Sequence, residues 1–256
     1  MLLIENMSVC RGEGNNAFTV SLPHLSLNCG EVVAICGTSG CGKSTLLEMI
    51  GLILKPDQLT RYQLAEKQDI STFILKQNQT ALATLRATSL GFMLQTGGLL
   101  PFLTVRQNIW LPNDILNNAS FNNNTLKNKE DSDWISHLIQ QLNLSHLLNA
   151  YPNKLSIGER QRVAFIRAIA HKPKLLLADE PTSALDPDHA NILFDLMLNL
   201  VQEQHIAALV VTHDWGLAND KKLPCLQADL TSPGRAVFGE QTFSKQVFSE
   251  KPGGAA

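Results

Sequence analysis

Apolar residues along this chain fall into two patterns, short unbroken runs and longer stretches with helical spacing. Val32–Cys36, residues 175–178 and residues 206–211 are continuous apolar runs of strand length, the signature of strands buried on both faces of a parallel sheet. Between them the spacing becomes helical. Residues 44–54 read as one helix. Residues 156–171 read as another, in which Val163, Ile166, Ile169 and Ala170 share a face until Pro173 stops the helix. Asp186 followed by Pro187 predicts an N-cap with proline in the first turn, opening a helix to about Gln204. Strands alternating with crossover helices predict an α/β fold. Two segments break the alternation. Polar, glycine-free residues 57–87 predict strands and a helix at the edge of the sheet, and asparagine-dense residues 113–130 predict an exposed loop.

The apolar run at Val32–Cys36 leads into GTSGCGKST: Gly37, Thr38, Ser39, Gly40, Cys41, Gly42, Lys43, Ser44 and Thr45. The spacing GxxxxGK[ST] between a strand and a helix is that of a phosphate-binding loop. Its glycines let backbone N–H groups turn inward as an anion nest, and the helix N-terminus adds partial positive charge. Lys43 is placed to reach the β- and γ-phosphates, and Ser44 to offer a hydroxyl to Mg²⁺. Downstream, LLLADEP ends an apolar strand in Asp179 and Glu180. Beside a phosphate loop this pair suits Mg²⁺ binding by Asp179 and general-base activation of water by Glu180. In LSIGERQR, residues 155–162, Ser156 and Glu159 form a capping box and Gly158 permits close backbone approach. That helix end is a candidate second phosphate site, and two such candidates in one chain point to two copies sharing nucleotides.

Composition narrows the classes. Lys plus Arg number 21 against 23 Asp plus Glu, a formal net charge of -2, without the basic footprint of a nucleic-acid-binding protein. No run reaches the roughly 18 apolar residues of a transmembrane helix, and the N-terminal residues lack the pattern of a signal peptide. The expectation is a soluble intracellular chain. Five cysteines without a CxxC pair predict neither a disulfide framework nor a zinc site. Cys36 and Cys41 read as small residues that fit beside the loop.

Taken together, these residues resemble the ATPase subunit of ATP-binding-cassette (ABC) transporters. The family's parts occur in order: the phosphate loop, Gln95 in GFMLQ, LSIGERQR, LLLADEP, SALD at residues 183–186, and His213 in VVTHD. The stretch 95–112, QTGGLLPFLTVRQNIWLP, is similar to the lipoprotein-release and macrolide-export group. The resemblance implies a P-loop NTPase (RecA-like) core, an antiparallel β edge from the N-terminal third and a helical subdomain at roughly 97–170. It implies one domain over residues 1–240 and a C-terminal tail over 241–256. ATP and Mg²⁺ are the implied cofactors. Catalysis falls to Glu180, His213, Gln95 and Lys43, and metal binding to Ser44, Gln95 and Asp179. Nucleotide binding falls to residues 37–45, with Ser156 and Gly158 acting on the nucleotide of the opposite protomer. The implied partners are a second ATPase subunit and integral membrane permease subunits, with the chain peripheral on the cytoplasmic face of the cell membrane.

Some positions depart from the family pattern. Ile157 replaces a usual glycine, Ser183 is importer-like, and Asn219, Asp220 and Lys221 stand in place of a usual Asp-Arg dipeptide. The aromatic residue that stacks on adenine in relatives aligns with Cys10, leaving Phe18 or Arg11 as substitutes for contact with the base. Two rival readings are a soluble ABC protein of an assembly system and a nucleotide-dependent scaffold with negligible turnover. Intact Glu180 and His213 argue against the second.

Overall fold

The computed structural model describes residues 1–65, 68–119, 129–230 and 232–241. β1 (Leu2–Arg11) and β2 (Phe18–Leu27) form a long antiparallel hairpin, from Leu2 opposite Leu27 to Arg11 opposite Phe18. β3 (Val32–Cys36) enters the glycine loop, and α1 (Lys43–Ile50) leaves it. The polar segment then supplies β4 (Arg61–Leu64), β5 (Gln68–Asp69), α2 (Ser71–Leu75) and α3 (Gln79–Ser89). β6 (Leu90–Met93) is followed by α4 (Val105–Ala119), α5 (Lys129–Gln141) and α6 (Ile157–Ile169). β7 (Leu175–Asp179), α7 (Pro187–Glu203), β8 (Ala207–Thr212), α8 (Trp215–Asp220), β9 (Cys225–Asp229) and β10 (Arg235–Gln241) complete the order.

One ten-stranded sheet runs β5-β4-β1-β2-β10-β9-β3-β8-β7-β6. Strands β9, β3, β8, β7 and β6 are parallel neighbours, and the N-terminal strands form the expected antiparallel edge. Because successive strand side chains point to opposite faces, the unbroken apolar runs feed two cores. Ala34, Cys36, Leu176, Ala178, Ala208 and Val210 face the core under α4 to α7. Val33, Ile35, Leu175, Leu177, Leu209 and Val211 face the core shared with α1 and the hairpin. A polar residue at any of these positions would lie in apolar packing, which is why the runs do not alternate.

Within the exposed loop expected over residues 113–130, residues 113–119 and 129–130 are helical instead. α4 continues through Ala119 and α5 has begun by Lys129; residues 120–128 lie outside the described residues. Asparagine is a weak helix former, but Ile109 is fully buried and α4 packs along α6, so tertiary packing overrides composition. Pro112 sits inside α4 and removes one helical hydrogen bond. α1 is shorter than its apolar pattern predicts. Gly51 caps it, a Cβ there would collide with the Phe92 ring, and Leu52 turns to φ +60.

Candidate nucleotide site

The register of the parallel strands brings the chemistry together. Cys36 lies opposite Thr212, Asp179 opposite Val211, and Met93 opposite Ala178. Gly37, His213, Glu180 and Gln95 therefore all emerge past the carboxyl ends of adjacent strands, the usual ligand crevice of an open parallel sheet.

The loop has the form an anion nest requires. Gly40 and Gly42 take φ of +79° and +97°, which L-residues with side chains rarely adopt. A Cβ on Gly42 would lie 2.6 Å from Val20 Cγ2, and one on Gly37 would lie 2.6 Å from Cys41 Sγ. Cys41 Sγ thus fills the space that a side chain at Gly37 would need. Lys43 is buried, and its Nζ donates to the carbonyls of Gly37 and Thr38, each at 2.9 Å. Thr38, Ser39, Gly40 and Ser44 are exposed, while Thr45 is half-buried. The Cys36 thiol is driven far up by its hydrogen bond with Cys225 and by burial, so it stays protonated and acts as packing.

Around the carboxylates, Ser44 Oγ donates to Asp179 Oδ2 at 3.4 Å. Burial, and after it the charge of Glu180, pushes the Asp179 carboxyl above its ordinary value. A half-buried carboxylate short of compensating charge beside a hydroxyl is a hard-oxygen donor set that fits Mg²⁺. Among the described residues no cluster of three His, Cys, Asp or Glu side chains could hold a metal alone, so the ion would share its coordination with phosphate oxygens. Glu180 adopts φ +46, held there by its N–H donating to the Val211 carbonyl at 3.0 Å. Its two oxygens are partnered separately. His213 Nδ1 lies 3.2 Å from Oε1, and Gln95 Nε2 donates to Oε2 at 2.8 Å. Gln95 Nε2 also lies 3.4 Å from Ser183 Oγ.

Ser156 and Gly158 stand apart from this cluster at the start of α6. The full capping box forms, with Ser156 N–H donating to Glu159 at 2.7 Å and Glu159 N–H to Ser156 Oγ at 3.3 Å. The Ser156 N–H holds the Glu159 carboxyl below its usual range. Ser156 is exposed, and among the described residues no hydrogen bond joins it to the Glu180 cluster.

Three residues that sequence reasoning missed organise the segment after Gln95. Asn108, fully buried, accepts from Leu100 N–H and donates to the carbonyls of Leu100, Leu103 and Thr104. Gln161 donates to the Gln95 carbonyl, and Arg167 to those of Gly97 and Gly98. The available signal was polar side chains on helices that pack on both sides. Beyond this segment a cleft of about 270 Å³ opens, lined among others by Arg86, Phe92, Leu100, Pro112, Ile115 and Arg167.

A glycine loop shaped as an anion nest, a carboxylate pair past the sheet and a capped second helix end are the parts of a nucleotide-hydrolysing cassette. The family model described as ABC transporter matches residues 21–183, and the chain belongs to that family as an ATP-binding ATPase subunit. It is 36% identical over 222 residues to the lipoprotein-releasing system ATP-binding protein LolD of Rickettsia bellii, covering 86% of this chain and 91% of that one. LolD 1 of Rhodospirillum rubrum is 40% identical over 194 residues, 76% of this chain and 80% of that one. The putative hemin import ATP-binding protein HrtA of Staphylococcus haemolyticus is 36% identical over 191 residues, 75% and 80%. Among solved structures, a dimeric ATP-binding cassette in a post-hydrolysis state with ADP and Pi superposes with a TM-score of 0.76. It is 27% identical, and the match covers 96% of this chain and 100% of that one.

The three residues expected near the base are Cys10, Phe18 and Arg11. Cys10 is exposed, with its N–H donated to Asp57 at 2.8 Å. Phe18 packs into the hairpin core against the space over Gly42, and Arg11 is paired with Glu48 at 3.0 Å. Base–aromatic stacking contributes about 1–3 kcal/mol where it occurs. GTP and ATP are therefore expected to compete with affinities within about tenfold, 1.4 kcal/mol, and Cys10→Tyr to tighten ATP. A competition titration with a fluorescent nucleotide checks both. A hundredfold preference for ATP, or no gain from tyrosine, contradicts the expectation.

Proposed function

We propose that this chain powers a membrane permease of the lipoprotein-release and macrolide-export type from the cytoplasmic side, working in export or on the cell envelope. In this reading residues 1–240 act as one ATPase domain, with a helical subdomain at roughly 97–170. Two copies associate head to tail, and the Ser156 and Gly158 end of each α6 completes the nucleotide site of the other. The loop amides and Lys43 bind the phosphates. Ser44, Asp179 and Gln95 would hold Mg²⁺, which when bound would supply charge neutralisation at the phosphates. Glu180 takes the proton of the attacking water, and His213 fixes the orientation of its carboxylate. Positioning and charge stabilisation carry most of the rate. Among the described residues no helix is long and apolar enough to cross a membrane, which leaves that part of the work to a partner.

The observation that carries this reading is the continuity of one segment. At Gln95 it touches the Glu180 carboxylate, and five residues later Leu100 lines the cleft. Of the apolar residues that follow Gln95, Leu99 and Val105 pack into the core, whereas Phe102 is 71% exposed. A short cytoplasmic helix of a permease seated there would sense, and be moved by, the state of the site. To test this, Cys10 and Cys29, both exposed, are replaced by serine, and cysteines are placed at Thr104, Arg106 or Ile115. Crosslinking in native membranes is expected to give an adduct with an integral membrane protein. Adducts with soluble proteins alone would favour an assembly-system ATPase.

A further inference from the structure

Helix α6 grips the backbone of the segment that carries Gln95. Gln161 is only 3% exposed, and its Nε2 donates to the Gln95 carbonyl at 2.8 Å. Further along the same helix, Arg167 donates from one guanidinium nitrogen to the Gly98 carbonyl at 2.8 Å and from the other to Gly97 at 2.9 Å. Gly97 and Gly98 both have positive φ, +75° and +57°, a turn that presents two successive carbonyls to one planar fork. The Gln95 side chain then meets Glu180 at 2.8 Å. On its other side Arg167 lines the cleft.

Packing alone does not account for Gln161. Its Oε1 is buried without a partner, an arrangement less favourable than an apolar side chain of the same length. What the amide gains in return is the single bond to the Gln95 backbone.

We propose that Gln161 and Arg167 are positioning residues for ATP hydrolysis, clamping the backbone from Gln95 to Gly98 onto α6 so that the Gln95 amide reaches Glu180 only when α6 and its cleft are in place. The proposal rests on the reading of Gln95 and Glu180 as working parts of the site. It makes α6 the connection between two ends of the molecule: its first residues face a second protomer's nucleotide, its middle holds Gln95, and Arg167 borders the cleft.

Gln161→Met tests the clamp with little disturbance to packing, because methionine keeps the side chain's length and helix preference and removes the unpartnered oxygen. The kcat for ATP is expected to fall about tenfold, since misplacing a catalytic group by an ångström costs up to about a hundredfold. The ATP Kd and the Tm are expected to stay as in the wild type. Arg167→Lys, which keeps the charge but loses the fork, is expected to give an intermediate kcat. In a Gln95→Ala background, Gln161→Met is expected to cause no further loss, because its effect runs through Gln95. The clamp is overturned by a wild-type kcat in Gln161→Met, by a loss that persists after Gln95→Ala, or by a loss matched by a lower Tm. If Gln95→Ala itself hydrolyses ATP at the wild-type rate, the reading of the site fails and the clamp fails with it. A slow Gln95→Ala beside a normal Gln161→Met removes the clamp alone.

Discussion

Glu180→Gln is expected to lower ATP hydrolysis by about 10²–10⁴-fold, the range for a lost general base, while ATP binding stays intact. The geometry explains why binding survives. Among the described residues no hydrogen bond joins Glu180 to the glycine loop; its carboxylate faces Gln95 and His213, whereas phosphate binding in the proposed site falls to Lys43 and the loop amides. Glutamine keeps the shape and can accept from Gln95, but it has no basic oxygen for the water proton. The variant is therefore expected to hold ATP without turnover and to accumulate as a dimer. Single-turnover hydrolysis and equilibrium nucleotide binding on the same preparation check this. Near-normal steady-state hydrolysis would remove Glu180 from the role. Lys43→Ala is expected to do the opposite and weaken nucleotide binding itself.

Ser156→Arg in the Glu180→Gln background is expected to abolish that ATP-dependent dimer. The dimer should weaken by at least about a hundredfold, roughly the 2.7 kcal/mol by which interfacial charged hydrogen bonds commonly matter. Ser156 is exposed, so arginine there does not disturb the core, but in the proposed head-to-tail dimer its bulk would occupy the space needed by the γ-phosphate of the second protomer's nucleotide. Loss of the cap costs the helix about 1 kcal/mol. Ser156→Gly separates the two effects, because glycine caps nearly as well and offers no hydroxyl. Size-exclusion chromatography with ATP reads all three variants. A stable dimer of the arginine variant would contradict the shared-site arrangement.

Much of this site was legible because phosphate chemistry constrains local sequence tightly. Gly40 and Gly42 must be glycine for backbone reasons, and Asp179 and Glu180 follow a run that has to be a buried strand. His213 and Gln95 were legible only through the family pattern, since nothing local marks a lone histidine or glutamine. The sequence did not reveal contacts made across elements. Gln161 and Arg167 act on carbonyls 66 to 70 residues away, and no spacing rule reaches that far. The helical course of residues 113–119 was hidden for a related reason: an asparagine-rich segment became helix because α6 was there to pack against. Cys10 marks another limit. Its departure from the family's aromatic residue was read from the family pattern, whereas the pairing of its neighbour Arg11 with Glu48 appears only in the fold.

The strand order has a consequence for synthesis. Within the sheet the N-terminal hairpin is hydrogen-bonded to the half that carries the glycine loop through β10 and β9, the last two strands of the described residues. β3, which carries the glycine loop, has β8 and β9 as its neighbours, and both lie more than 160 residues downstream. A nascent chain that has already exposed every residue of the phosphate loop cannot yet hold it in place, since its sheet partners are still unmade. Such long-range pairing is slow to form and leaves strand edges open meanwhile. Nucleotide affinity should thus arise late and all at once, as the final strands close the gap between the two halves, so ATP can stabilise the finished fold but cannot guide its early steps.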